Sequence, residues 1–205
     1  MVTIKKDLAH RDNYGGKRPS PIKYIVIHYT GNDGDHDESN GNYFNSYRGV
    51  SAHYFVDSDS ITQSVPDEFV AWHCGTSGTY RHKQCRNNNS IGIELCDDQK
   101  NGKVYPSAKT IQNALDLTKS LMKKYNIPAE NVIRHYDVTG KKCPAYWVDD
   151  AAWKTAFWNR LKDVTGVEKY KKQVKDRFGL SDQTIEYFAN YKYADSLFER
   201  LATKP

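Results

Sequence analysis

Short apolar runs alternate with stretches of helical period along residues 1–165. Ile22-Lys-Tyr-Ile-Val-Ile-His28 is nearly continuous in apolar, β-branched residues and reads as an interior strand ending at His28. The polar segment Gly31–Asn40 follows as a loop, and a short helix is expected around Tyr43–Tyr47. His53-Tyr-Phe-Val-Asp57 and Ile61-Thr-Gln-Ser-Val65 flank an Asp-Ser-Asp-Ser turn, the pattern of a hairpin. Ser77–Asn89 is rich in turn formers and reads as irregular, whereas Ser90-Ile-Gly-Ile-Glu-Leu-Cys96 is another strand. Ser107 caps a predicted helix that carries Ile111, Leu115, Leu121 and Met122 and ends near Tyr125. Asn131-Val-Ile-Arg-His135 is a last short strand, and Ala151–Asp163 sets Trp153, Ala156, Phe157 and Leu161 on one helical face. Strands alternating with helices predict an α/β domain with a mixed central sheet flanked by helices.

The pattern changes around Thr165-Gly166. Val167, Tyr170, Val174 and Phe178 recur at three- and four-residue steps among lysines, Gly179 ends that helix, and Ser181 caps another. Ile185 and Phe188, then Leu197, Phe198 and Leu201, complete two further amphipathic pieces. Residues 166–205 are therefore expected to form a small C-terminal helical module, too small to bury much by itself.

Composition narrows the function classes. Residues 1–165 suffice for a real core without a metal as scaffold, so any metal is expected to do chemistry. Hydrophobic residues are 38% of the 205, and no segment approaches the ~20 apolar residues of a membrane span. The polar N-terminus lacks the apolar core of ~7–15 residues that a secretory signal requires, so the expectation is synthesis in the cytoplasm. A net charge of +5 suits an anionic polymer without choosing one, and no basic run interleaved with aromatics points to nucleic acid. Cys74, Cys85, Cys96 and Cys143 form no dense disulfide framework; the first three read as free thiols or as one pair plus one.

Chemistry gathers at strand ends. His28 and His135 close their predicted strands, where functional groups of open α/β sheets collect, and Cys143 follows eight positions after His135 across a loop. Two imidazoles and a thiolate favour zinc over magnesium or calcium. Three protein ligands leave a fourth position open, the catalytic arrangement. A metal hydrolase also needs a base and a positive group for the oxyanion. Glu94 stands inside the apolar run Ile91–Leu95, either as that base or facing solvent from an edge strand. Lys141 shares its loop with Cys143, either as the positive group or as an ordinary solvated lysine.

Six blocks in order carry a resemblance: Tyr24-Ile-Val-Ile-His-Tyr-Thr30, Val50-Ser-Ala-His-Tyr54, Ala71-Trp-His-Cys-Gly75, Asn89-Ser-Ile-Gly-Ile-Glu94, Arg134-His135 and Lys141-Lys-Cys-Pro144. Over residues 20–163 the chain resembles the type 2 N-acetylmuramoyl-L-alanine amidases, which include phage endolysins and autolysins and share a fold with the peptidoglycan recognition proteins. The resemblance implies a zinc in a groove, held by His28, His135 and Cys143. It makes Glu94 the base that activates water against the lactyl carbonyl of N-acetylmuramic acid, and Lys141 the group that stabilises the oxyanion. Where some members place a catalytic tyrosine this chain has Ala52, so it looks like the glutamate type. Trp72 and His73 are expected to line the groove and meet sugar or peptide, unless Trp72 packs in the core. His53 stands with them, behind the ligands rather than among them, while His10, His36 and His82 are expected at the surface. The C-terminal stretches Arg177–Phe188 and Tyr191–Phe198 resemble a helical segment that follows some Gram-positive and phage amidases, which implies wall binding or formation of a homo-oligomer, with a plain stabilising extension as the alternative.

Bacterial peptidoglycan is thus the expected partner, cut at the bond between N-acetylmuramic acid and L-alanine after the protein reaches the wall. The competing readings are a recognition protein that binds without cutting, against which Cys143 argues, and a cytoplasmic amidase that recycles wall fragments. The helical module and basic balance favour the endolysin.

Overall fold

The computed structural model describes residues 2–162, 164–189 and 194–203. The chain forms two compact units, Met1–Trp158 and Asn159–Pro205. Eight strands belong to the first: β1 (Ile4–Lys6), β2 (Tyr14–Lys17), β3 (Tyr24–Tyr29), β4 (Tyr54–Val56), β5 (Ile61–Gln63), β6 (Phe69–Ala71), β7 (Ser90–Leu95) and β8 (Val132–Arg134). Six build one sheet in the order β1-β5-β4-β7-β3-β8, while β2 and β6 pair apart from it. Only β4 and β5 run antiparallel within the six, so the sheet is mixed, as expected.

β3 and β7 are buried along nearly their whole length, which is why both read as continuous apolar runs rather than alternating ones. Four α-helices accompany the strands among the described residues: α1 (Asp37–Tyr43), α2 (Ala108–Tyr125), α3 (His135–Thr139) and α4 (Asp150–Trp153). In α2 the predicted face of Ile111, Leu115 and Leu121 is buried. The Ser107 hydroxyl accepts the Thr110 N–H at 3.1 Å, and Asn126 ends the helix in a left-handed conformation. Asn113 donates to the carbonyls of Asp57 and Ser58, pinning α2 to the β4–β5 turn. After α4 the chain widens into a π-helical turn at Lys154–Trp158, where Phe157 stacks on Trp153 at 5.2 Å.

Three expectations are corrected. The helix placed at Tyr43–Tyr47 is α1, ending where it was expected to start. Its polar sequence hides it, because tertiary bonds hold it: the buried Asp37 carboxylate accepts from the hydroxyls of Ser60 and Thr62. The last strand stops at Arg134, and His135 opens α3 instead of ending β8. Strands β1, β2 and β6 lie in segments given no element; they are three or four residues long, and pairing partners define them more than any pattern of their own.

The second unit contains α5 (Asn159–Lys162), α6 (Val164–Phe178), α7 (Asp182–Ala189) and α8 (Ala194–Thr203). Val174, Ile185, Ala194 and Phe198 form its small core, with Tyr170, Phe188 and Leu201 at the margin. Gly179, at φ +62°, ends α6, and the Ser181 hydroxyl caps α7 by accepting the Thr184 N–H. Phe178, expected on the buried stripe, is half exposed. The side chain of Val167, and Asp163 altogether, lie outside the described residues. Among the described residues no helix is long and apolar enough to cross a membrane.

Candidate metal centre

Strand register assembles the site. In the parallel β3–β7 pair, His28 stands opposite Glu94, so the two side chains rise from one rung of the sheet. On the other side of β3, Ile27 pairs with Arg134, which brings the next residue, His135, beside His28. The imidazole centroids of His28 and His135 are 4.7 Å apart. β7 lies between β4 and β3, so Glu94 stands on an interior strand and the edge-strand alternative falls.

Cys143 reaches the same point by a controlled return. Gly140, at φ +84°, closes α3, and the Arg81 guanidinium fills the space where a Cβ would sit. The Tyr136 N–H then donates to the Cys143 carbonyl at 2.9 Å, folding the loop back over the helix. Arg134 braces both arms: its guanidinium donates to Asp137 and Asp150 and to the Trp147 carbonyl, while only 4% exposed. Cys143 Sγ ends 3.7 Å from His28 Nδ1, and Glu94 Oε1 lies 3.7 Å from the same nitrogen. One donor atom from each of His28, His135 and Cys143 falls within 4.8 Å of the others, the one such group of buried donors among the described residues.

The electrostatics suit a cation. Burial holds the His28 imidazole well below its ordinary value, with the neighbouring His135 and His73 adding to the effect. His135 is lowered to about 4 by burial and by Lys141. Both rings are therefore neutral at physiological pH, with lone pairs free to ligate. His135 Nδ1 and Nε2 are buried and make no hydrogen bond, nor does Glu94 Oε2. Buried polar atoms seldom stay unpaired in native proteins, and a ring with both nitrogens orphaned beside a thiol fits a metal ion. Burial pushes the Cys143 thiol up to about 12 and the Glu94 carboxyl up to about 8, although Lys141 pulls the latter down.

These groups form the floor of a cavity of about 320 Å³. Trp72, Lys141 and His73 line it as well. Trp72 is 37% exposed, which removes the core-packing alternative. Ala52 lies in the wall. His53 does not line the cavity: it is fully buried, accepts the Gly92 N–H at Nδ1 and contacts Arg18. His10 and His36 are exposed at their side chains, as expected. His82 is half-buried and organises its loop by accepting the N–H groups of Gln84 and Cys85. All four cysteines are buried free thiols.

Sequence reasoning gave no role to Arg134, Ser90 or Gly92. A charged residue ending the apolar strand at Arg134 was the available signal for the first. The other two become visible only when the loop bearing His73 is seen lying over β7.

Residues 18–146, which include His28, Glu94, His135 and Cys143, match the family described as N-acetylmuramoyl-L-alanine amidase. A probable N-acetylmuramoyl-L-alanine amidase of Bacillus licheniformis is 36% identical across 81% of this chain and 49% of its own length. The amidase CwlL of the same organism is 33% identical across 81% of this chain and 48% of its own. The chain thus spans about half the length of the curated relatives it matches. A solved mutant endolysin from Bacillus subtilis superposes with a TM-score of 0.66 at 30% identity, over 78% of this chain and 99% of that one. With a family match over more than half its residues, the chain belongs to the N-acetylmuramoyl-L-alanine amidase family.

Proposed function

We propose that this chain is a zinc hydrolase that cuts the amide between N-acetylmuramic acid and L-alanine in bacterial peptidoglycan, as an endolysin or autolysin. One observation carries the reading: a trio of converging donors floors a groove, with Glu94 on the same rung as His28. His28, His135 and Cys143 would hold the ion, and their borderline-to-soft donors favour zinc. When bound, zinc supplies Lewis acidity, making water acidic near neutral pH and polarising the scissile carbonyl. Glu94 takes the proton from the attacking water and returns it to the departing L-alanine amine. Its raised pKa suits the second task, and the positive charge of Lys141 prepares it for the first. The Lys141 ammonium, exposed at the groove, stabilises the charge that develops on the carbonyl oxygen. Trp72 offers its exposed face to sugar or peptide, with His73 at the wall and His53 behind it.

The reading places catalysis in residues 1–165 and gives residues 166–205 a wall-binding or dimer-forming role. The cavity in that module sets Lys171, Lys172 and Lys175 against Asp176, Asp182 and Glu186, with Lys172 paired to Asp176 and Lys175 to Asp182, so its charge is balanced. The enzyme would act on the wall after release from the cytoplasm where it is made. Digestion of purified sacculi tests the assignment: new L-alanine amino termini should appear without new reducing sugars. Reducing sugars without those termini would show a different bond being cut. Cys143→Ser should lose zinc by metal analysis, and a full zinc content would remove Cys143 from the site.

A further inference from the structure

We propose that His73 and Ser90 are positioning residues that fix which nitrogen of His28 carries the proton, leaving Nδ1 bare for the metal. The inference rests on the metal site proposed above. His28 Nε2 lies 3.0 Å from His73 Nδ1, His73 Nε2 lies 3.0 Å from Ser90 Oγ, and Ser90 Oγ lies 2.7 Å from the Arg86 carbonyl oxygen. All three side chains are buried.

The last link sets the direction of the whole chain. A carbonyl oxygen only accepts, so the Ser90 hydroxyl spends its single proton on Arg86 and offers lone pairs to His73. His73 therefore carries its proton on Nε2 and presents a bare Nδ1 to His28. His28 donates from Nε2 in turn, and its Nδ1 lone pair faces Cys143 and Glu94, each 3.7 Å away. The reversed chain would put the His28 proton on Nδ1, where it blocks ligation. A metal-bound imidazole commonly donates its other N–H to an orienting partner, and here that partner is itself oriented by a hydroxyl.

The fold holds this arrangement in place. Asn87 Oδ1 accepts the backbone N–H groups of His73 and Cys74, which seats the ring. The ring lies over Gly92, where an added Cβ would come within 2.6 Å of His73 Cγ. Gly92 is on the same face of β7 as Glu94, two residues on, so the strand that carries the base also makes room for the relay.

The test begins with imidazole 15N–1H correlation NMR of the metal-free protein at neutral pH. His28 and His73 should each appear as a single tautomer protonated at Nε2, and Ser90→Ala should abolish that preference in His73 while Ser90→Thr restores it. Zinc affinity, read by competition with a chromophoric chelator, should fall roughly 10–100-fold in His73→Phe, which keeps the ring but not its nitrogens. Wild-type protein with His28 protonated at Nδ1 overturns the relay, as does a His73→Phe protein that binds zinc as tightly as wild type. A wild type that binds no zinc, with both tautomers as described, would leave the relay standing and sink the metal assignment instead.

Discussion

Replacing the proposed base should stabilise the protein that lacks metal. Burial pushes the Glu94 carboxyl up to about 8, against the opposing pull of Lys141. Between about pH 4.5 and pH 8 the folded chain therefore holds a proton that the unfolded chain has released. Stability then falls by about 1.4 kcal/mol per pH unit, on the order of 5 kcal/mol across the window. The Glu94 side chain is only 19% exposed, so solvent screening trims this modestly. Histidines act with the opposite sign over part of the range. His135 is held at about 4, and burial also lowers His28 and His53, so the unfolded chain binds their protons more tightly. Their contribution rises with pH and levels off above about pH 6.5, as the unfolded imidazoles lose the rest of their protons. From about pH 6.5 to pH 8 the Glu94 effect, worth about 2 kcal/mol, increasingly outweighs theirs. Glu94→Gln keeps the shape and removes the charge, and every other titrating group cancels in the comparison. Urea unfolding of both proteins in excess chelator should show the variant's advantage growing by that amount between pH 6.5 and pH 8. A difference that stays constant with pH would refute the buried, proton-holding Glu94.

Zinc binding at neutral pH should release close to two protons. One comes from Cys143, whose thiol burial pushes up to about 12, and most of another from Glu94 as the ion's charge draws it off. Glu94→Gln should release about one, read by calorimetry in buffers of different ionisation enthalpy, and equal release from both proteins contradicts the pairing of base with metal. Gly92→Ala should cost about 1–3 kcal/mol, because its Cβ would press on the His73 ring; an unchanged urea midpoint would mean the ring is free to move. Arg134→Lys keeps the charge but loses the planar fork that joins Asp137, Asp150 and the Trp147 carbonyl. It should lower stability by roughly 3 kcal/mol, and a thermal midpoint equal to wild type would show that the fork braces nothing.

Elements with a strong internal signal were legible from sequence. β3 and β7 are sheathed on both faces and so carry unbroken apolar runs; α2 announces its start by Ser107 and its face by a regular stripe. Elements that exist through their partners were not. α1 is polar throughout and is held by Asp37 bonds to residues more than twenty positions away, while β1, exposed along its length, owes its state to pairing with β5. The same division runs through the site. His28, Glu94, His135 and Cys143 are chemically conspicuous residues in short, ordered segments, and spacing with family likeness singled them out. The partners of His73 could not be read, because its loop crosses β7 in a way that no local pattern encodes.

The sheet itself explains why these residues must act together. β3 and β7 run parallel in register, so residues two apart on each strand stack as successive rungs on one face. The lower rung pairs Val26 with Gly92, and the absence of a side chain at Gly92 is what lets the His73 ring settle there. The upper rung pairs His28 with Glu94, so a candidate ligand and the candidate base share a backbone ladder that sets their separation. A slip of one residue between the strands would turn Glu94 to the opposite face from His28 and place Ile91 or Ile93 beneath His73. Hydrophobic burial on both faces forbids that slip. The apolar residues around the site therefore have a function beyond the core: by locking the register of β3 against β7, they hold the Glu94 carboxylate 3.7 Å from His28 Nδ1.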